Sequence, residues 1–75
     1  MTIGESIRQT RESKGYSRER LSRRSKVSAV AIRNWELNGT MPTLDCLIMV
    51  ADALNVGLDE LVGRRTKIRN ESTVL

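Results

Sequence analysis

Apolar residues recur along the chain at three- and four-residue steps in short runs, and most of these runs open at a serine or threonine. Ile3, Ile7 and Thr10 follow Thr2 and Glu5, the two halves of a capping box, so a first helix is predicted from Thr2 to Lys14, with Gly15 as its left-handed exit. Ser17 caps a second helix that carries Glu19 in its first turn and Leu21 inward and ends near Ser25. Tyr16, ahead of that cap, is placed to staple onto Leu21. Ser28 caps a third helix that turns Ala31, Ile32 and Trp35 inward and ends near Glu36, before the turn at Leu37-Asn38-Gly39. Thr43, after Pro42, caps a fourth. Its stripe of Leu44, Leu47, Ile48, Ala51 and Leu54 predicts the central core helix, broken at Gly57. Leu58 to Val62 is a short fifth helix before Gly63, and residues 64–75 are polar, uncapped and without a stripe, which predicts a flexible basic tail.

The link between the second and third helices, Ser25 to Ser28, leaves room only for a sharp bend. Two short helices joined in this way form a helix-turn-helix, a shape suited to a DNA major groove. Leu, Ile and Val dominate the apolar content, and Tyr16 and Trp35 are the only aromatic residues, which suits packed helices better than a sheet. The expected fold is therefore all-α: one compact five-helix domain over residues 1–63, followed by the tail at 64–75.

Composition excludes several function classes. With one cysteine, Cys46, and no histidine, neither a disulfide framework nor a zinc finger can stabilise the chain. Cys46 reads as a small buried hydrophobe with no base beside it, and no glycine-rich phosphate loop is present, so no enzymatic reaction, cofactor or metal is expected. Seventy-five residues leave no room for a ligand-sensing domain, so no small-molecule ligand is expected either. The start lacks the pattern of a signal peptide and no run of eighteen apolar residues occurs, which predicts a cytoplasmic protein with no membrane partner.

The distribution of charge says more than the net +4. Residues 1–40 hold nine basic side chains against four acidic ones, residues 41–63 hold Asp45, Asp52, Asp59 and Glu60 with no base, and residues 64–75 hold four bases against Glu71. A polyanion is drawn to the first segment and repelled by the second. On charge alone, a nucleic-acid surface and a merely solvated one both stay open.

The order and spacing of several short matches carry a more specific signal. They are Ile3-Gly4-Glu5 with Ile7-Arg8, Arg11 ahead of Lys14-Gly15-Tyr16-Ser17, Val27-Ser28 with Ile32, Trp35-Glu36, Pro42-Thr43-Leu44, and Ala51 to Val56 leading to Leu58-Asp59-Glu60-Leu61. Across residues 3–63 the chain resembles the lambda-repressor-like, or Cro-like, helix-turn-helix family of DNA-binding domains.

The resemblance implies that the second helix lies across the phosphate backbone and that the third enters the major groove N-terminus first. Ser28, Ala29, Val30, Arg33 and Asn34 then lie nearest the bases. Arg33 is the foremost reader, because a guanidinium pairs bidentately with guanine, worth about 1 to 3 kcal/mol of discrimination. Asn34 suits adenine or a phosphate, and Ala29 and Val30 suit thymine methyl groups, although Val30 is also compatible with ordinary helix surface or core. Arg18 stands where the family commonly places a glutamine on a phosphate. Arg23, Arg24, Lys26, Asn38, Gly39 and Thr40 border the same surface as candidate phosphate contacts, each equally readable as a solvated group. The resemblance also pairs Arg11 with Glu36 as a structural ion pair. Trp35, in phase with Ile32, reads as core rather than as a stacking platform.

Four positions depart from the family pattern: Lys26 stands where the turn usually has glycine, Ser22 in place of a small alanine, Ser25 in place of an apolar residue, and Asn38 where a glycine would come one position earlier. A left-handed Lys26 would carry strain of about 1 kcal/mol.

The leading expectation is a sequence-specific transcriptional regulator, a repressor binding double-stranded DNA as a homodimer on an inverted repeat, with Val56, Leu58, Leu61, Val62 and the tail as the expected interface. Core packing competes for Leu58 and Leu61. The alternative is a protein-interaction adaptor, antitoxin-like in using the same fold to bind a protein partner, kept open by the apolar Ala29-Val30 pair.

Overall fold

In the computed structural model, residues 2–63 are described and form five helices with no strand among them. They are α1 (Ile3–Ser13), α2 (Arg18–Ser25), α3 (Ala29–Asn38), α4 (Leu44–Leu54) and α5 (Leu58–Leu61). The expectation for residues 64–75 lies outside the described residues. No described helix is long and apolar enough to cross a membrane.

Capping chemistry sets most of the boundaries. Thr2 and Glu5 close their capping box, while Ser17 accepts from the amide of Arg20, Ser28 from those of Val30 and Ala31, and Thr43 from that of Cys46. Two ends differ from the sequence expectation. α3 runs two residues past Glu36, because the Asn38 amide donates to Asn34 Oδ1 at 2.8 Å and Gly39 supplies the left-handed cap. α4 stops at Leu54 rather than at Gly57, because Asn55 takes the left-handed conformation at φ 59° and Gly57 becomes the start of α5.

Ile7, Leu21, Val27, Ile32, Trp35, Leu47, Val50, Ala51, Leu54 and Leu61 make one core, with Tyr16, Ala31 and Cys46 half-buried against it. The expected stripe of α4 is rotated. Val50 is fully buried, whereas Leu44 and Ile48 are 61% and 43% exposed. The packed partners of α4 are α2 and α5, and the face they cover runs through Leu47, Val50, Ala51 and Leu54. At the α5 end Leu61 is fully buried, which removes it from any interface, while Leu58 is exposed.

α1 crosses the C-terminal half of α3 at very short range. A Cβ on Gly4 would fall inside the Trp35 carbonyl, 2.6 Å from its carbon and 3.3 Å from Glu36 Cα. Glycine at this helical position is what lets the two backbones meet.

Candidate nucleic-acid interface

The turn between α2 and α3 is built from two serines around a left-handed lysine. Lys26 adopts φ 65° and ψ 19°, the strained conformation that a glycine would take freely. Ser25, buried beneath it, accepts the Val27 amide on its Oγ at 3.2 Å, so the amide just past the bend is paired within the chain. This explains a serine where an apolar residue is usual: the hydroxyl replaces solvent in a buried turn.

From this turn α3 leaves with one face, through Ile32, Trp35 and Glu36, in the core and the opposite face, through Val30, Arg33 and Leu37, in solvent. Ser28 is exposed at the cap, Ala29 is half-buried, Val30 is 67% exposed, Arg33 is exposed and Asn34 is half-buried. These five sequence-predicted base readers therefore lie on the outward part of one helix. Asn34 Oδ1 accepts from the side-chain amide of Asn38 at 2.8 Å, a bond that does not use the amide N–H groups of Asn34 itself. Gly39 and Thr40 continue the exit, with the Gly39 and Thr40 amides both directed to the Asn34 carbonyl.

The second half of α3 is anchored by charge as well as by Trp35. Arg11 donates Nε to Glu36 Oε2 at 2.8 Å and Nη2 to Oε1 at 3.0 Å, and its Nη1 reaches the Tyr16 carbonyl at 2.7 Å. One side chain thus ties α1, the α1–α2 link and α3 together. The hydrogen bond to Glu36 is the main reason the Arg11 guanidinium is held above the usual arginine range, against the opposing effect of burial.

Arg18 belongs to the same cluster. Its Nε donates to Glu36 Oε1 at 2.9 Å, so the residue expected at a phosphate also carries a tertiary contact that sequence spacing does not reveal.

The other candidate phosphate contacts divide between two sides of α2. Arg23 and Lys26 are exposed, whereas Arg24 leans toward α4, where it lines a shallow concavity with Ser25, Met49, Asp52 and Ala53. Arg20, which the sequence reading left without a role, stacks over the Tyr16 ring at 4.3 Å, and Arg24 lies 5.8 Å from the same ring. Arg20 and Arg24, four apart on α2, with Tyr16 just ahead of the Ser17 cap, were the available signal. Exposed bases on α2 and α3 contrast with exposed Asp45 and Asp52 on α4 and Asp59 and Glu60 on α5, so the polarity counted along the chain is carried into the fold.

Comparison with known proteins agrees with this geometry. The helix-turn-helix family model matches residues 7–61, which span everything from the core of α1 to the end of α5. The chain is also 27% identical over 75 residues, all of its own length and 67% of the other's, to the cryptic phage CTXphi transcriptional repressor RstR of Vibrio cholerae serotype O1. Five helices with a tight α2–α3 turn, an outward face of α3 through Val30 and Arg33, and a family match across nearly the whole described domain lead to one assignment: the chain belongs to the Cro/lambda-repressor-like helix-turn-helix family of DNA-binding domains.

Proposed function

We infer that this protein is a sequence-specific transcriptional repressor that binds an inverted-repeat operator as a homodimer, each copy inserting the N-terminal half of α3 into a major groove. One observation carries the reading: α3 is anchored at Trp35 and Glu36 while Val30 and Arg33 stand in solvent, so the helix presents a rigid outward edge that its own fold leaves uncovered. The basic side chains of α2 flank that edge and supply attraction to phosphates. The similarity to a protein named as a phage transcriptional repressor supports the regulatory role.

Within this reading Arg33 takes guanine, Val30 and Ala29 take thymine methyl groups, and Asn34 donates to a base or phosphate acceptor. Ser28 lies with these readers, and Arg18, Arg23, Arg24, Lys26, Asn38, Gly39 and Thr40 border the backbone. Two half-sites read together raise affinity without any new kind of contact. Exposed Leu58, with half-buried Val56 and Val62, supplies the apolar surface for pairing.

A second reading, a protein-binding adaptor, is favoured by one feature. The apolar Val30 at 67% exposure, with Met41, Leu44 and Ile48 also exposed, would suit a protein partner. Selection from genomic fragments with the full chain at moderate salt, repeated with Arg33→Ala, separates the two. A single palindromic motif, relaxed at one base pair by the substitution, supports the repressor. Sequence-blind binding or none rejects it in favour of the adaptor.

A further inference from the structure

Glu36 carries one negative charge, yet two guanidinium groups lie on it. Arg11 supplies two hydrogen bonds at 2.8 and 3.0 Å and Arg18 a third at 2.9 Å, around a carboxylate whose side chain is 0% exposed. Glu12 comes within 3.8 Å of Arg11, but its side chain is 53% exposed, so water screens most of its effect. The three-residue cluster therefore holds an excess positive charge, and Arg18, with 30% of its side chain exposed, is where that charge meets solvent. The guanidinium is planar and offers its donors along more than one edge. Nε of Arg18 is committed to Glu36, and among the described residues its two Nη groups have no protein acceptor.

We propose that Arg18 is a positioning residue for the reading helix. It takes a DNA phosphate with its Nη groups while Nε grips Glu36, so a single rigid group joins the DNA backbone to the anchored end of α3. Glu36 follows Arg33 by three positions on the same helix, so a phosphate tied to the carboxylate through Arg18 sets how the segment carrying Arg33 lies against the DNA. This role rests on the DNA-reading function proposed above and goes beyond simple charge neutralisation. A phosphate ligand alone alters affinity for all sequences equally, whereas a positioning residue alters discrimination between them.

Lysine tests the distinction, because its compact ammonium keeps the charge but cannot hold two acceptors in the fixed geometry of the guanidinium fork. Full-length wild type, Arg18→Lys and Arg18→Gln are titrated by fluorescence anisotropy against a duplex carrying the selected motif and against a random-sequence duplex, over a series of KCl concentrations. The temperature is one at which circular dichroism shows every variant fully helical. Arg18→Lys is expected to keep the salt slope, because the charge is retained, while its affinity for the motif falls about tenfold further than its affinity for the random duplex. Arg18→Gln should lose the preference as well and lower the salt slope by about 0.9 for each copy bound. An undiminished preference in Arg18→Lys overturns the positioning role. An unchanged slope in Arg18→Gln removes the phosphate contact and overturns it too. Should Arg18→Lys not fold, the preference of Arg18→Gln decides in its place, and retention there is fatal to the proposal. A wild type with no preference at all instead refutes the DNA-reading function, and the role of Arg18 falls with it.

Discussion

Gly4→Ala sets two effects of opposite sign against each other, and the structure decides between them. In an isolated helix alanine would gain up to about 1 kcal/mol over glycine. Here the new methyl would lie 2.6 Å from the Trp35 carbonyl carbon and 3.3 Å from Glu36 Cα, where carbon contacts normally settle at about 3.5 to 4.0 Å. The obstacle is backbone, so no side chain can swing away, and α1 must retreat from α3 by roughly 1 Å. Arg11 rides on the same helix. A retreat of that size would stretch its 2.8 Å bond to Glu36 well past the hydrogen-bonding range, which ends near about 3.2 Å. Overpacking of about 1 to 3 kcal/mol, added to a weakened buried ion pair, outweighs the propensity gain, and a net loss of about 3 kcal/mol is expected. A chain of this length has a total stability of only about 4 to 11 kcal/mol. With a urea dependence of about 1 kcal/mol/M, the unfolding midpoint followed by circular dichroism should fall by about 3 M. A midpoint unchanged or raised would refute the close α1–α3 crossing and the reasoning built on it.

Three further substitutions probe other parts of the frame. Glu36→Ala strands Arg11 and Arg18 against a vacated carboxylate site and should cost about 3 to 5 kcal/mol in thermal or urea unfolding; a loss under 1 kcal/mol would show that the pair is not buried as described. Lys26→Gly relieves the left-handed turn at φ 65° and should raise the melting temperature, by about 4 to 8 °C if the full ~1 kcal/mol of strain is recovered; a fall in melting temperature would contradict the strain. Gly57→Ser adds the side-chain cap that α5 lacks, against only a movable Asp59 oxygen at 3.0 Å from the new Cβ, and should stabilise by about 0.5 kcal/mol, read as a small rise in the urea midpoint.

Helix starts were legible in the sequence because each depends on a local side chain. Thr2, Ser17, Ser28 and Thr43 each cap from within three residues, so no knowledge of the rest of the fold was needed. The rotation of α4 was not legible. Leu44, Cys46, Leu47, Ile48, Met49, Val50 and Ala51 form an almost continuous apolar run that offers more than one stripe, and packing against α2 and α5 selects among them. Arg18 reached Glu36 across eighteen positions, a separation that no periodicity encodes. Gly4 did leave a trace, since a glycine within a helical pattern signals a cost that close packing can offset. For the candidate interface, the helix itself and its exposed positions were legible, and the Asn34–Asn38 hydrogen bond could have been read from their spacing of four.

Three of the four departures from the family pattern, Ser25, Lys26 and Asn38, lie at the ends of α3, and each of these has a physical counterpart there. Ser25 and Lys26 build the turn that launches α3, with the buried hydroxyl satisfying the amide next to a strained lysine. At the other end Asn38 lengthens the helix by bonding back to Asn34, and Gly39 closes it. Between these ends Trp35 and Glu36 are held from α1 and α2, by packing and by three charge-assisted hydrogen bonds. An eight-residue α2 and a ten-residue α3 are each too short to be stable alone in water, so the orientation of α3 cannot come from helix propensity. It comes from the anchored half. Concentrating tertiary contacts there leaves Val30 and Arg33 with no structural duty, and that freedom allows those positions to vary in sequence without loss of the fold. The same division predicts that substitutions at Trp35 or Glu36 lower stability, whereas those at Val30 or Arg33 leave it nearly unchanged.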